Sequence, residues 1–363
     1  MILELLIIIP VTASFIVAVY NLFNTPELKG SLVSQDNLPK VSILIPARNE
    51  EKNIRKCLTD VFNQDYKNKE VILLDDNSAD GTKKIASEFL KNNPLKIIDG
   101  KELPEGWIGK NWACHQLAQN SLGSYMLFLD ADVELHSTAV SSAVSEVIKN
   151  DLVLVSVFST QRIKTFGERL IVPLMNWLLL AFLPLIFVFT SSNKSFVAAN
   201  GQFMLWRRRE YFTIGGHKFV FNKPVEDMEL AREVKKRNLR MKTLLGGKKI
   251  YCRMYYSFND AIKGFSKNFY PGFNINAALF LSFILFLTIV FTLPVLFFME
   301  SPLLIISSVL IVLNRSIVSY ISKQSVIWNV LLHPFQMLLM LAVGVISVYK
   351  SKSKRLEWKG RKF

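Results

Sequence analysis

Tyr125-Met126-Leu127-Phe128-Leu129-Asp130-Ala131-Asp132 is the stretch on which the fold turns. An apolar run enters two carboxylates separated by a single alanine. A short apolar run without polar alternation reads as a strand covered on both faces, and the acids mark its carboxyl end. The same arrangement recurs upstream. Val41–Ile45 stops at Pro46-Ala47-Arg48-Asn49-Glu50, and Val71–Leu74 runs into Asp75-Asp76-Asn77-Ser78. Lys96–Ile98 reads as a further short strand. Helices fall between them: Glu50 to about Asn63 carries Ile54, Leu58, Val61 and Phe62 at helical spacing, Ser78-Ala79-Asp80-Gly81 opens a helix to about Leu90, and Asn111–Asn120 is a third. Strand and helix in alternation predict an α/β fold with parallel β-α-β units. Ligands of such sheets gather at the carboxyl ends of the strands, where these polar residues stand.

The rest of the chain is of another kind. Its 363 residues hold 44 Lys and Arg against 29 Asp and Glu, a formal charge of +15, and half are hydrophobic. That excludes a disordered chain. Cys57, Cys114 and Cys252 are odd in number, widely spaced and without a C-x-x-C pair, which excludes a disulfide scaffold and a zinc site and suits a reducing compartment. The apolar residues bunch into Leu5–Phe23, Gly272–Phe298, Pro302–Ile321 and Val326–Val348, each long enough to cross a hydrocarbon layer of ~30 Å. Glu4, with no Lys or Arg before the first run, speaks for a retained anchor over a cleaved leader.

The expected organisation is therefore an N-terminal transmembrane anchor at 1–24, a cytoplasmic α/β domain at 38–255, an interfacial helix at 256–271, a C-terminal transmembrane region at 272–349 and a basic tail at 350–363. Leu170–Phe189, broken by Pro173, Asn176 and Pro184 and flanked by Arg162, Lys164 and Arg169, reads as a helix lying at the interface. Basic residues beside the spans put both the α/β domain and the tail on the cytoplasmic face of a multi-pass cell-membrane protein. Three C-terminal crossings would put the tail outside. Pro302–Ile321 is the candidate for the odd run, because Asn314 and Arg315 lie within it. The basic residues are dispersed beside apolar spans, so anionic inner-leaflet lipid is the expected partner and nucleic acid is not.

Three motifs carry chemistry. Asp130 and Asp132 at a strand end can offer oxygen ligands to one hard cation, Mg²⁺ or Mn²⁺, with a diphosphate and water completing its shell. Gly106-Trp107-Ile108-Gly109-Lys110-Asn111-Trp112-Ala113 lacks P-loop spacing but can bring backbone N–H groups and an ammonium to phosphate oxygens at a helix entry. In Val225-Glu226-Asp227-Met228-Glu229, Glu226 and Asp227 stand at a helix start, where negative charge is favoured for its own sake. One of them is alternatively a general base for an acceptor hydroxyl, and Glu229 faces solvent. His217, after Gly215-Gly216, either touches substrate or ends a turn.

Taken in order over about residues 40 to 240, this set resembles the family-2 glycosyltransferases, inverting enzymes with the GT-A nucleotide-sugar fold: a mostly parallel sheet flanked by helices, here with one N-terminal and several C-terminal transmembrane helices. The resemblance implies that Pro46, Ala47, Glu50 and Asp76 hold the nucleoside. It places Lys110 near base or diphosphate, Asp130 and Ala131 at the nucleotide-sugar, and Asp130 and Asp132 at the metal. Asp227 becomes the catalytic base, and Glu226, Arg253 and His217 become contacts to diphosphate or acceptor. One departure matters. Many processive relatives carry (Q/R)-x-x-R-W after the base, whereas Tyr251-Cys252-Arg253-Met254-Tyr255-Tyr256 has no Arg-Trp pair, and Arg253, Lys263 or Lys267 is left to supply that charge. The implied function is transfer of one sugar from a nucleotide-sugar, UDP-sugar first, to a lipophilic acceptor such as a carotenoid acid, a sterol-like lipid or a glycerolipid or ceramide-like lipid. A processive polysaccharide synthase and a non-catalytic nucleotide-sugar-binding membrane protein are the alternatives. Leu170–Phe189 and Phe258–Phe273 are the expected apolar entry for the acceptor.

Overall fold

The computed structural model describes residues 2–30 and 38–353, with the backbone of 357–358 and 361–362. Most of the basic tail expected at 350–363 therefore lies outside the described residues. The strands that matter are Val41–Ala47 (β1), Lys69–Asp75 (β2), Leu95–Asp99 (β3), Tyr125–Leu129 (β4), Val133–Leu135 (β5), Leu154–Phe158 (β6), Phe203–Arg207 (β7), Met241–Leu245 (β8) and Ile250–Cys252 (β9). Within 26–160 and 188–253 they build one compact unit, which we call the sheet unit; residues 2–25, 161–187 and 254–353 form a second, helical unit.

The sheet has seven strands in the order β3-β2-β1-β4-β7-β6-β8. β1 pairs in parallel with β2 and β4, β2 with β3, and β6 with β8; β7 alone runs antiparallel, to β4 and to β6. Every residue of β1 is buried, as expected for a strand with neighbours on both edges. The strand passes through Pro46 where the sequence predicts a stop. Val41 N–H and Ala47 C=O bond on the β2 side, so Pro46 faces the β4 side, and that ladder has already ended at Leu44 opposite Phe128. A residue without an N–H costs nothing there.

Helices Ile54–Phe62, Thr82–Glu88, Gly109–Gln119, Ala139–Lys149 and Glu226–Lys236 connect and flank these strands. The expected alternation of strand and helix is what the chain adopts. Boundaries move by a few residues: the first helix starts at Ile54, and the second follows Gly81 while Asp80 Oδ1 accepts from Thr82 N–H at 3.0 Å.

Four helices of the helical unit are long and apolar enough to cross a membrane: Ile2–Asn24, Ala277–Leu296, Pro302–Ile321 and His333–Lys352. Pro302–Ile321 turns Asn314 and Arg315 inward, each 1% exposed. Side chains cap two starts, Asn276 Oδ1 accepting from Leu279 N–H at 2.8 Å and Ser301 Oγ from Leu304 N–H at 3.3 Å. Leu170–Phe189 is not one helix. Phe166–Ile171 and Pro173–Phe182 are followed by an irregular turn, whose backbone is met by buried Asn21. Asn21 Nδ2 donates to Leu180 O and Leu183 O, both at 2.8 Å, and its Oδ1 accepts from Leu185 N–H at 2.9 Å. Phe258–Phe273 begins on a Ser257 cap; Phe269 and Phe273 pack edge-on against Phe280, each at 5.2 Å between centroids, while Lys263 is exposed.

Candidate functional site

β1, β2 and β3 end at Ala47, Asp75 and Asp99, and β4 ends one residue before Asp130. Parallel pairing brings all of these to one edge. β7 adds to the same edge from the opposite direction. Because it is antiparallel, its first residue, Phe203, stands opposite Leu129, and the preceding Asn200-Gly201-Gln202 arrives beside Asp130. Asp130 N–H donates to Gln202 O at 3.1 Å. Nothing in the sequence reading pointed to Gly201; an Asn-Gly pair just ahead of a strand was the available signal.

Lys110 lies in the first turn of its helix, where a cation opposes the helix dipole. Two carboxylates compensate: Lys110 Nζ is 2.9 Å from Asp130 Oδ1 and 3.2 Å from Glu226 Oε1. Burial disfavours the charged lysine, yet Asp130 and Glu226 outweigh it and hold the ammonium well above the ordinary lysine range. Asp227, half-buried next to Glu226, accepts from Gly201 N–H and from Met228 N–H, both at 2.8 Å. Burial and then the Glu226 charge push its carboxyl from 3.8 up to about 7, against the pull of Lys110 and the two backbone donors. Gly201 permits the close approach: a Cβ there would stand 3.1 Å from Lys110 Nζ and 3.2 Å from Glu226 Oε1.

A second group occupies the β1 and β2 ends. Pro46 and Ala47 are buried within β1, and Asp76 is buried just past β2, its N–H bonded to Ala47 O at 2.8 Å. Arg48 Nη1 ties down the turn by donating to Asp76 O at 2.5 Å and Asn77 O at 3.1 Å. Glu50 N–H donates to Thr82 Oγ1 at 2.7 Å, and Glu50 Oε2 accepts from Asn53 at 2.8 Å. Cys57 and Cys252 link the two groups. Burial, and next the charge of Asp132, push both thiols up, with Asp130 and Glu50 adding to the effect. Asp130, Asp132 and Glu50 are thus near enough to act on the same buried sulfurs. Cys252 pairs through β9 with Val133, the residue after Asp132, and half-buried Arg253 follows it. Ala131 is buried between the two aspartates.

His217 lies behind the Lys110 and Glu226 group, near enough to feel both charges. It is 3% exposed, its Nδ1 is 2.7 Å from Tyr211 Oη, and its ring lies 4.8 Å from that of Phe128. Burial lowers it to about 3, so the ring is neutral. Gly216, at φ 49°, has the Tyr211 ring 2.4 Å from where a Cβ would be. The Gly215-Gly216-His217 turn is packed closely against Tyr211 and Phe128. Glu229 is paired with Arg232 on the helix surface. An aromatic group beside Lys110 went unread in the sequence: half-buried Trp107 lies 5.0 Å from Trp112, 5.2 Å from His115 and 5.7 Å from Phe221.

Among the described residues, no three His, Cys, Asp or Glu side chains gather into a self-sufficient metal cage. Two aspartates flanking one residue fit a hard divalent cation that takes the rest of its shell from phosphate and water. They do not fit a closed structural zinc centre.

Residues 42–212, which hold β1 to β4, the Lys110 loop, Asp130, Asp132 and Gly201, match the model of Glycosyl transferase family 2. That stretch resembles the family 2 glycosyltransferases. It is 28% identical over 237 residues to the 4,4'-diaponeurosporenoate glycosyltransferase of Staphylococcus haemolyticus, covering 64% of this chain and 61% of that protein. Its likeness to the protein of the same name in Staphylococcus aureus is 26% over 240 residues, covering 65% and 62%. The match thus spans about three fifths of the length of these relatives. A mannosyltransferase from Pyrobaculum calidifontis, solved with GDP-Man and Mn²⁺, shares the fold at a TM-score of 0.54 and 17% identity, covering 96% of this chain and 99% of that one. The expected GT-A fold is the one found, and the expected likeness to the family is borne out.

Proposed function

We propose that this chain is a membrane-bound inverting glycosyltransferase that moves one sugar from a nucleotide-sugar to a lipophilic acceptor. The observation that carries the reading is the joint placement of Asp227, Glu226, Lys110 and Asp130 around Gly201. Lys110 is a fixed positive charge within reach of a diphosphate. Asp227 is a carboxylate with a basicity raised toward neutrality, as suits a general base for an acceptor hydroxyl. Pro46, Ala47, Glu50 and Asp76 line the neighbouring strand ends as the nucleoside site, with Ala131 beside them. Glu226 and Arg253 are assigned to diphosphate or acceptor contacts. His217, packed against Phe128 and near Glu226 and Lys110, is assigned with them to the diphosphate or acceptor side.

Asp130 and Asp132 would hold Mg²⁺ or Mn²⁺, which when bound offsets the charge of the departing diphosphate. The Mn²⁺ in the Pyrobaculum mannosyltransferase complex supports this choice. UDP-sugars are the first donors to test. The name of the staphylococcal relatives supports a carotenoid acid as acceptor, ahead of sterol-like, glycerolipid or ceramide-like lipids. An acceptor carboxylate, with a pKa near ~4, is already ionised and needs no base; a hydroxyl does. The stretch after the base, without an Arg-Trp pair, favours single transfer over processive synthesis. Retention of Asp130, Asp132, Glu226 and Asp227 favours an enzyme over a degenerate binding protein. Four long apolar helices and the abundant Lys and Arg support a multi-pass cell-membrane protein whose sheet unit faces the cytoplasm and anionic lipid.

The test is a donor screen on purified protein with a hydroxyl and a carboxylate lipid, scoring nucleotide release with Mn²⁺ or Mg²⁺ and then with EDTA. Release that needs both donor and acceptor and stops on chelation is expected. Release unchanged by EDTA would remove the cation from Asp130 and Asp132, and no release with any nucleotide-sugar would remove the transferase reading.

A further inference from the structure

The helical unit contains a buried charge that the proposed transfer does not use. Arg315, 1% exposed, lies six residues before the end of Pro302–Ile321, about 9 Å from that end at 1.5 Å per residue. Its neighbours are neutral. Nη2 donates to Gln336 Oε1, Nε donates to Asn329 O at 3.4 Å, and the guanidinium carbon stands 5.8 Å from the Trp177 ring centroid. Among the described residues, Nη1 has no acceptor and no carboxylate lies within 4.0 Å of the guanidinium.

His333 is a neutral neighbour: its Nε2 donates to Phe291 O, which leaves Nδ1 an acceptor that adds no positive charge. It is 2% exposed, its Nε2 is 2.9 Å from Phe291 O, and its Nδ1 is buried without a hydrogen-bond partner. Its ring lies 6.0 Å from the same Trp177 that Arg315 flanks. The surrounding amides are engaged elsewhere and add no negative charge: Asn314 Oδ1 accepts from Trp177 Nε1 at 3.1 Å, Gln336 Nε2 donates to Arg169 O at 2.7 Å, and Asn329 Nδ2 donates to Ser319 Oγ at 2.9 Å.

A guanidinium held among apolar helices without a counter-charge is costly. An arginine kept only to tie helices together would have its donors satisfied, as those of Asn314 and Gln336 are. We infer that Arg315, beside Trp177, is a binding site within the helical unit for an anionic group carried on an apolar chain. A carboxylate or phosphate accepts from the free face of the guanidinium in the planar geometry that arginine offers such oxygens. The depth of about 9 Å lies within reach of a headgroup drawn in from the nearer surface of a ~30 Å layer. The ligand comes either from a free fatty acid or from a bilayer phospholipid. Neither source depends on the transfer reaction proposed for the sheet unit.

Native mass spectrometry of the full chain in neutral detergent, with oleate, dioleoyl phosphatidylglycerol, dioleoyl phosphatidylcholine and oleyl alcohol added separately, distinguishes these sources. Wild type should retain one of the two anions at least tenfold better than its neutral partner, oleate pointing to a free acid and phosphatidylglycerol to a phospholipid. The retained anion should raise the melting temperature by about 5 °C at roughly 100-fold above its Kd. Arg315→Met should lose at least tenfold in retention and all of that shift, and Arg315→Lys should keep part of both. Equal retention of neutral and anionic lipid by wild type overturns the inference, as does retention by Arg315→Met equal to wild type. If Arg315→Met does not fold, the wild-type preference and Arg315→Lys decide.

Discussion

Each unit of this chain sets a cation among polar groups, half-buried Lys110 in the sheet unit and buried Arg315 in the helical unit, and the two are answered differently. Lys110 stands between Asp130 and Glu226 with Asp227 beside them, so its surroundings carry an excess of negative charge. Arg315 is ringed by Asn329, Gln336 and Trp177 and meets no carboxylate among the described residues. The first environment is completed by more positive charge, the second by negative charge. The same chain thus prepares opposite electrostatic sites in its sheet and its helices.

The largest expected effect is on Asp227. Asp227→Asn should reduce turnover of a hydroxyl acceptor by about 10³-fold, within the span usual for a lost general base, while a carboxylate acceptor keeps appreciable activity. Wild-type rate on the hydroxyl should climb between pH 6 and pH 8, because a carboxyl raised to about 7 deprotonates across that window, and the variant should show no such rise. Equal rates for variant and wild type on a hydroxyl would remove the base assignment. Stability should move the other way. A raised carboxyl contributes fully below the unfolded value of 3.8 and loses that contribution as pH passes about 7, so the variant's margin in melting temperature over wild type should widen from pH 5 to pH 8.

Lys110→Met leaves Asp130 and Glu226 facing each other without their counter-ion. A loss of about 3 kcal/mol in denaturant unfolding is expected; a loss under about 0.5 kcal/mol would mean that the pairing at 2.9 Å and 3.2 Å carries little. Gly201→Ala should lower kcat/KM about tenfold by pressing a methyl against Lys110 and Glu226, at the scale of overpacking a tight site. An unaffected enzyme would show that the cluster has room to shift. Smallest is Trp177→Phe, which keeps an aromatic ring at the position and removes the Nε1 bond to Asn314. It should cost about 1 kcal/mol, or roughly 3 °C in melting temperature.

Much of the sheet was readable because its strands announce themselves. β1, β2 and β4 are apolar runs that stop at polar residues, and the carboxyl-edge rule predicts Asp76 and Asp130 just past the strands where they stand. The antiparallel β7 was harder. Phe203-Met204-Leu205-Trp206 is as apolar as its neighbours, but nothing local records which way a strand runs, and Gly201 joins the cluster only through that direction. His217 shows a different limit: a histidine after two glycines gives no local sign of the Tyr211 hydroxyl it meets. Arg315 was visible as an anomaly in an apolar run. The neutrality of its surroundings depends on Gln336 and Trp177, which are distant in sequence, and no periodicity could supply it.

The three hydrogen bonds of Asn21 bear on how this protein can be handled. Leu180, Leu183 and Leu185 belong to a segment spliced between β6 and β7, so trimming the two ends of the chain cannot free the sheet for crystallisation or screening. A version starting at Pro26 would keep that insert and strip two carbonyls and an amide of their side-chain partner in greasy surroundings. Anyone seeking a water-soluble catalytic fragment should excise residues 161–187 and bridge the gap, as well as removing both flanks.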